Sequence, residues 1–301
     1  MKVKSRRFVA VDILLILLTV LPFIAGILLK VLTSPAPSGV TITGAQVYFT
    51  IPMPIQNLPI TSAQINSALV IVSIIGLCLY MTHGLSVREP TRRQLVAEWA
   101  VQTLEKLTLE NMGEYFAGYA PFVGAILILS ALSSLSSLLG LFPPTSDLNI
   151  VAGWAILVFI LLTYYKLKGG LFNYLKGFTE PIIVMTPLNL LGEVATPVSM
   201  AFRHYGNVLS GSIIGVLIAT ALQGLSNLVL GWMPGVLNGV PFLQIGLPGI
   251  LSLYFDVFSS CIQAYIFAML TMLNISGAMP FEEYEKRMRK KAERKNKKIK
   301  N

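Results

Sequence analysis

Only three residues between Pro181 and Phe281 carry a formal charge, and they are Glu193, Arg203 and Asp256. Two of the three lie within apolar runs long enough to cross a bilayer. A guanidinium near the middle of a membrane costs roughly 2.5–3.5 kcal/mol on insertion scales, and it cannot release its proton to avoid that cost. Ionisable side chains inside membranes more often mark ion or substrate paths than structural pairs. We therefore interpret Arg203 as the centre of a candidate transport site.

Helical phase places further polar side chains beside these charges. At about 100° per residue, one narrow face of the helix around Arg203 carries Ser199, Arg203, Asn207 and Ser210. By the same arithmetic, one face of the next long helix carries Asp256, Ser259, Ser260 and Gln263. These two polar stripes have two interpretations. Either Asp256 neutralises Arg203 as a buried ion pair, with hydroxyl and amide groups joining the helices, or the stripes line a path for an ion or substrate.

The composition predicts the membrane as the setting of this site. Hydrophobic residues make up 54% of the 301-residue chain and charged residues only 12%, whereas soluble domains carry about 25% charged residues. The net charge of +9 does not indicate nucleic acid binding, because the basic residues lie at the chain ends and between apolar runs. Cys78 and Cys261 lie in apolar segments, where we expect small core residues. The pattern contains no disulfide framework, metal cluster, cofactor motif or P-loop.

The hydropathy pattern predicts six membrane helices, over about 8–32, 63–85, 119–141, 150–167, 182–222 and 243–278. The fifth run would measure about 60 Å as one helix, twice the hydrocarbon thickness of about 30 Å. A hairpin there would need a polar turn, which is absent, so we expect a kinked and strongly tilted helix. The sixth run presents the same problem. After Pro90, the mixture of apolar and charged residues predicts an amphipathic helix that lies on the membrane.

Basic residues predict the orientation of these helices. Lys and Arg crowd the N-terminus, the segments 86–117 and 166–180, and the C-terminal tail. They are absent from the segments 34–62, 142–149 and 224–245. The positive-inside rule then places both chain ends in the cytoplasm.

The same pattern divides the chain into four parts: an N-terminal membrane helix (1–33), an extracytoplasmic loop (34–62), a membrane domain (63–280) and a basic cytoplasmic tail (281–301) that is helical at its start. The first part is either a retained helix or a signal peptide. The length of its apolar run and the lack of a clear cleavage site favour a retained helix.

Two sequence signatures resemble those of subunit a of the rotary F-type ATP synthase. The first is Glu193-Val-Ala-Thr-Pro197-Val-Ser199-Met-Ala-Phe-Arg203-His-Tyr-Gly206-Asn207, followed by Gly211. The second is Gln263-Ala264-Tyr265-Ile266-Phe267 with Leu270-Thr271. The turn at 145–149 and the segment 166–170 fit more weakly, and the resemblance covers roughly residues 65–280.

The resemblance implies an all-α polytopic membrane protein whose two long tilted helices pack against a ring of c subunits. Such a protein is a stator component without catalytic activity or cofactor of its own. Its two aqueous half-channels pass protons or Na+ to and from the ring carboxylates, which couples ion flow to rotation and ATP synthesis. The implied partners are the c-ring, the peripheral-stalk subunit b and membrane lipid. The implied location is the cell membrane, with the C-terminus in the cytoplasm.

Several residue roles follow from the resemblance, position by position. Arg203 matches the essential arginine that faces the c-ring, Gln263 the glutamine that helps to position it, and Asn207 a nearby polar neighbour. Glu193 and Ser199 match the region of the cytoplasmic half-channel.

The opposite half-channel departs from the family pattern. Asp256 matches its ionisable residue, but Ser212 stands where many members have Glu or His, so the outer path rests on Asp256 with hydroxyls such as Ser210 and Ser212 or with water. His204 replaces the more usual Leu, and we expect a structural histidine rather than a relay.

Two other classes of function remain open from the residues alone. A self-contained secondary transporter would use Arg203 to bind an anionic solute, but the sequence lacks the internal inverted repeat often found in such carriers. A purely structural membrane scaffold would need neither Arg203 nor Asp256 for ion flux.

Overall fold

The computed structural model describes residues 6–33, 44–54, 56–87, 90–179, 182–230, 246–282, 284–285 and 289. Within them the α-helices are α1 (Arg6–Thr33), α2 (Ser62–Thr82), α3 (Arg92–Met112), α4 (Ala120–Leu135), α5 (Leu148–Lys168), α6 (Leu171–Thr179), α7 (Thr186–Leu230), α8 (Leu247–Ser252) and α9 (Ser260–Gly277). Short 3-10 segments flank α4 on both sides and precede α5 and α7. The all-α membrane fold expected from the sequence is confirmed.

Six helical segments of the described chain are long and apolar enough to cross a membrane. They are Phe8–Thr33, Ser62–Thr82, Glu114–Leu139, Leu148–Lys168, Ile183–Val229 and Gly249–Gly277. These segments match the six crossings expected from hydropathy, with boundaries that differ by a few residues. Helix α3 is not among them, as expected for a helix with charges throughout its length.

The two long helices differ in their internal geometry. Helix α7 continues without a break for 45 residues, through Pro197, which makes it about 68 Å long at about 1.5 Å per residue. The continuous helix is therefore confirmed, while its tilt in the bilayer stays a prediction. The second long helix runs from α8 into α9 through a π-helical turn, Leu253–Ser259. This turn was not expected, and it changes the phase of Asp256 relative to Gln263, since a π-helix has more residues per turn than an α-helix.

The segment predicted as an extracytoplasmic loop contains a short hairpin. Strand β1 (Val47–Ile51) pairs with strand β2 (Leu58–Thr61) in an antiparallel arrangement. All five residues of β1 are aromatic or β-branched, and both types favour an extended backbone, which accounts for a strand that hydropathy alone does not reveal. The part of that loop at 34–43 lies outside the described residues.

A buried core joins the helices that support the site. Its members come from α3, α4, α5, α9 and the segments next to them, and they are Met112, Phe116, Val123, Leu162, Tyr165, Ala268, Met272, Ile275, Ala278 and Met279. A smaller cluster of Val158, Met200 and Phe267 attaches α7 to α5 and α9. The core thus holds one side of α7, and the opposite side is not covered by the residues that the structure describes.

Helix α1 packs against α2 and is tied to α3 near the end predicted to face the cytoplasm. Arg93 forms an ion pair with Asp12 at 2.9 Å, and both side chains are mostly buried. The prediction that the two cysteines are core residues is wrong, since both Cys78 and Cys261 are free and exposed. Lipid tails are as apolar as a protein core, so an apolar position in a membrane helix does not distinguish a buried side chain from a lipid-facing one.

Candidate functional site

Arg203 lies on the uncovered side of α7. Among the described residues it makes no hydrogen bond or ion pair, and the pair with Asp256 that one interpretation predicted is absent. Ser199, one turn before Arg203, is also exposed. At Gly206 an added Cβ atom would meet no heavy atom within 4 Å. The side of α7 that carries the guanidinium therefore has open space in which another chain can pack closely.

The neighbouring helix brings Gln263 close to the level of Arg203. Asn207 Nδ2 donates a hydrogen bond of 2.7 Å to Ser259 Oγ. The rings of His204 and Phe267 lie 5.5 Å apart between centroids. Because these two contacts lie one turn to either side of Gln263 on the antiparallel helix, Gln263 is level with the segment that follows Arg203. Its side chain is buried between the helices, at 7% exposure.

Glu193 forms a tight polar cluster at the end of α7 predicted to lie on the cytoplasmic side. Its side chain is 7% exposed and forms an ion pair with Lys166 Nζ at 3.0 Å. Tyr174 Oη donates a hydrogen bond of 3.1 Å to the other carboxylate oxygen. Burial, together with the negative charge of Glu193, raises the pKa of the Tyr174 phenol, because both disfavour its ionised form. Lys166 and Tyr174 thus each contact one oxygen of the carboxylate.

A cavity of about 380 Å³ opens beside this cluster. Polar residues supply much of its lining, including Lys166, Asn173, Tyr174, Asn189 and Glu193. The cavity lies between α6, the start of α7 and the end of α9, within the part of the chain predicted to face the cytoplasm. Water and small cations fit a cavity of this size and polarity.

Asp256 has a looser environment on the π-helical turn. Its side chain is half-buried, and Ser252 Oγ donates a short hydrogen bond to its carboxylate. Ser210 and Ser212 are both exposed and donate to carbonyl oxygens of their own helix, those of Asn207 and Leu209. The polar stripe of the sequence prediction is thus divided, since Ser259 faces Asn207 while Ser260 is buried and donates to Phe255 O. π-Helical turns occur frequently at functional sites.

The two carboxylates lie on opposite sides of Arg203. Glu193 precedes it by ten residues, which corresponds to about 15 Å along the helix axis. Next to Asp256, the Phe255 side chain packs against Gly211, where an added Cβ atom would lie 3.1 Å from it. Gly211 follows Arg203 by eight residues, or about 12 Å. Measured along the axis of α7, the unpaired guanidinium therefore lies between the levels of the two carboxylates.

Sequence reasoning missed several partners of these residues. Lys166 and Tyr174 were not expected to hold Glu193, although Lys166 is one of few basic residues at the same predicted membrane level. Ser130 was not expected to contact His204, but its hydroxyl lies 3.2 Å from His204 Nε2. His204 is fully buried, and its structural role stays a prediction. No group of three or more potential metal ligands occurs among the residues that the structure describes.

Comparison with known proteins agrees with this architecture. The family model described as ATP synthase A chain matches residues 65–276. The sodium-ion-specific ATP synthase subunit a of Propionigenium modestum is 27% identical in an alignment of 278 residues that covers 81% of this chain and 88% of that protein. ATP synthase subunit a of Trichlorobacter lovleyi is 31% identical over 231 residues, 74% of this chain and 90% of that protein.

A third relative, ATP synthase subunit a of Legionella pneumophila strain Philadelphia 1, is 27% identical over 231 residues, 76% of this chain and 91% of that protein. The residues matched by the family model include both polar helices with Arg203, Asn207, Asp256 and Gln263. The family model covers more than half of the chain, and six membrane-competent helices carry the site. The chain therefore belongs to the ATP synthase A chain family.

Proposed function

We propose that this chain is the stator subunit that passes protons or Na+ to and from a ring of c subunits through two aqueous half-channels. The observation that supports this proposal most strongly is the state of Arg203, which is uncovered and has no polar partner among the described residues. A permanent charge on an apolar helix needs a counter-charge, and the chain's own Asp256 does not supply it. A carboxylate on a neighbouring ring meets that need.

Electrostatics then determine the direction of ion exchange. A ring carboxylate that faces lipid must be neutral, with a bound proton or cation, because a bare anion in hydrocarbon is expensive. Opposite Arg203 the positive charge favours the anion, so the ring site releases its ion there. The same charge repels cations and blocks a direct leak between the two paths. Gln263 and Asn207 form no hydrogen bond with the guanidinium in the chain alone, and we expect them to position it once a ring carboxylate is present.

The two half-channels are assigned to the two carboxylate sites. The cavity beside Glu193, with Ser199 further along α7, forms the cytoplasmic path. Asp256, with hydroxyls such as those of Ser210 and Ser212, serves the outer path. The two paths reach the ring at different positions. An ion that enters by one path must therefore stay bound to the rotating ring before it can leave by the other, and net ion flow drives rotation.

The free energy per ion is small, which requires many steps for each ATP. One elementary charge that crosses about 100 mV gains about 2.3 kcal/mol. ATP chemistry belongs to other chains of the complex, and this subunit has no catalytic role of its own. We place the chain in the cell membrane with a cytoplasmic C-terminus, in contact with the c-ring and the peripheral-stalk subunit b.

Replacement of the arginine tests the proposal. In liposomes that contain the whole ATP synthase complex with this chain, we expect Arg203→Ala to abolish ATP-driven ion pumping while the complex still assembles. The matched control is Arg92→Ala, which removes an exposed arginine at the start of α3. Full pumping by the Arg203→Ala complex would refute the proposal.

A steric substitution tests where the ring lies. Gly206→Leu adds a side chain into space that the chain itself leaves open, and Leu favours helix more than Gly by roughly 0.8 kcal/mol. We expect the purified chain to keep its stability and the complex to lose about tenfold in pumping, because a displacement of about 1 Å can cost a hundredfold in rate. Gly153→Leu, at an open position on α5, is the control. Equal pumping by the two variants would place the ring elsewhere.

A further inference from the structure

A row of buried polar side chains runs from the turn after α4 to His204. Thr145 Oγ1 and Ser134 Oγ are hydrogen-bonded at 3.0 Å, and Ser130 Oγ lies 3.2 Å from His204 Nε2. Ser130 and Ser134 are one turn apart on α4, with Ser133 between them. All five residues are at most 1% exposed. The row thus crosses the interior from α4 to α7 and ends at the residue next to Arg203.

Two polar atoms of this row have no partner in the described part of the chain. They are His204 Nδ1 and Ser133 Oγ, and both are buried. A neutral imidazole offers a donor at one ring nitrogen and an acceptor at the other, so a bond at Nε2 alone leaves half of its capacity unused. Trp154 and Phe267 flank the ring and offer it no acceptor or donor that it contacts. Buried polar atoms that lack protein partners are usually hydrogen-bonded to ordered water.

The ends of the row give it a direction. Thr145 belongs to the 142–149 segment, which contains no Lys or Arg. The positive-inside rule predicts that this segment lies on the extracytoplasmic side. The other end, His204, lies at the level of Gln263, where the unpaired guanidinium is exposed. Helix α4 supplies the hydroxyls in between, at i, i+3 and i+4 positions that share one face.

We propose that the row from Thr145 to His204 binds ordered water and extends the outer ion path to the level of Arg203. This inference rests on the proposed function and assigns His204 a positioning role that the family resemblance does not provide. The ligand is water, held by His204 Nδ1 and Ser133 Oγ. Water binding there breaks no covalent bond and changes no oxidation state, so no co-reactant is needed.

Two substitutions test the row in the whole complex. Ser133→Ala removes a partnerless hydroxyl, and His204→Leu restores the residue more usual in the family. We expect each to lower ATP-driven pumping about three- to tenfold, because each removes a hydrogen-bonding site from the row that binds water. The double variant should be no slower than the slower single variant, since both changes act on one row. The control is Ser73→Ala, which removes a buried partnerless hydroxyl from α2, far along the chain from this row.

Stability provides a second readout that does not depend on transport. If Ser133 Oγ has no hydrogen-bonded water, Ser133→Ala removes the cost of a buried hydroxyl without a partner and raises the thermal stability of the complex. If it binds water, Ser133→Ala gives no such gain. A density map of the complex should show water within about 2.6–3.2 Å of His204 Nδ1.

The outcomes separate this inference from the proposed function. Normal pumping by both Ser133→Ala and His204→Leu, with pumping abolished by Arg203→Ala, would overturn the row and leave the proposed function intact. A stability gain from Ser133→Ala, or a dry imidazole in the map, would also overturn it. Normal pumping by Arg203→Ala would overturn the proposed function, and with it the inference that the row extends the outer ion path.

Discussion

The carboxylates on either side of Arg203 are held in different ways. Glu193 is almost completely buried, with a lysine on one oxygen and a tyrosine on the other. Asp256 is half-buried on a π-helical turn, and among the described residues only Ser252 bonds to it. Both oxygens of the Glu193 carboxylate are bonded within the chain, whereas Asp256 has one hydroxyl partner and is more accessible. We infer that Glu193 is held in place beside its cavity and that Asp256 exchanges ions.

Neutralising each carboxylate in turn tests whether Glu193 and Asp256 have different roles. We expect Asp256→Asn to lower ATP-driven pumping more than about tenfold, which corresponds to about 1.4 kcal/mol in barrier height. Glu193→Gln should have a smaller effect on pumping, because both oxygens of the Glu193 carboxylate are already bonded within the chain. The control is Asp147→Asn, which neutralises the capping carboxylate at the start of α5 with a residue that caps equally well. A larger loss from Glu193→Gln than from Asp256→Asn would reverse the assignment.

Removal of the lysine measures how much the ion pair between Lys166 and Glu193 contributes to stability. Lys166→Met leaves a buried carboxylate without its cation, and we expect a loss of about 1–3 kcal/mol in stability, less than for a fully buried pair because Lys166 is partly exposed. The double variant Lys166→Met/Glu193→Gln removes both charges and should recover part of that loss. Thermal denaturation of the purified complex in detergent measures both. Equal stability of the single and double variants would show that the pair is not coupled.

The smallest expected effect concerns Tyr174. Tyr174→Phe removes the hydrogen bond that a neutral phenol donates to the Glu193 carboxylate. We expect a loss of about 0.5–1.5 kcal/mol, because water in the neighbouring cavity can replace the phenol. The phenol itself reports on Glu193, because burial and the carboxylate raise its pKa above the usual range. Its contribution to stability is present below about pH 10, the ordinary pKa of a phenol, and is lost as the pH rises through the raised value.

Ultraviolet titration of phenol absorbance measures this shift as the difference between the wild-type and Tyr174→Phe complexes. In a Glu193→Gln background the Tyr174 pKa should fall towards its usual value, while burial keeps it somewhat raised. An unchanged titration after Glu193→Gln would mean that burial alone sets the shift.

The membrane helices were predictable because a bilayer imposes one simple rule on length and hydropathy. All six spans, and the continuity of α7 through Pro197, follow from runs of apolar residues and the absence of a polar turn. The polar stripe on α7 was also predictable, since an uninterrupted α-helix keeps one phase. The stripe on the second helix was predicted less well, because the π-helical turn at Leu253–Ser259 breaks that phase without a clear sequence signal.

Contacts between distant segments were beyond sequence reasoning. Lys166 and Glu193 are 27 residues apart, and their pairing depends on how α5 packs against the start of α7. The positions of Cys78 and Cys261 depend on which side of each helix faces lipid, and hydropathy does not distinguish that side from the core. The strand at Val47–Ile51 was hidden in a segment recognised only by its lack of charge.

The distance between Arg203 and the ring tests the central claim most directly. A density map of the assembled complex should show a ring carboxylate within about 4–6 Å of the guanidinium, the range in which an opposite charge favours the ionised form. It should also show Asp256 on the outer side of Arg203 and unpaired with it. A map in which Asp256 caps the guanidinium, with the ring against another side of α7, would contradict the account.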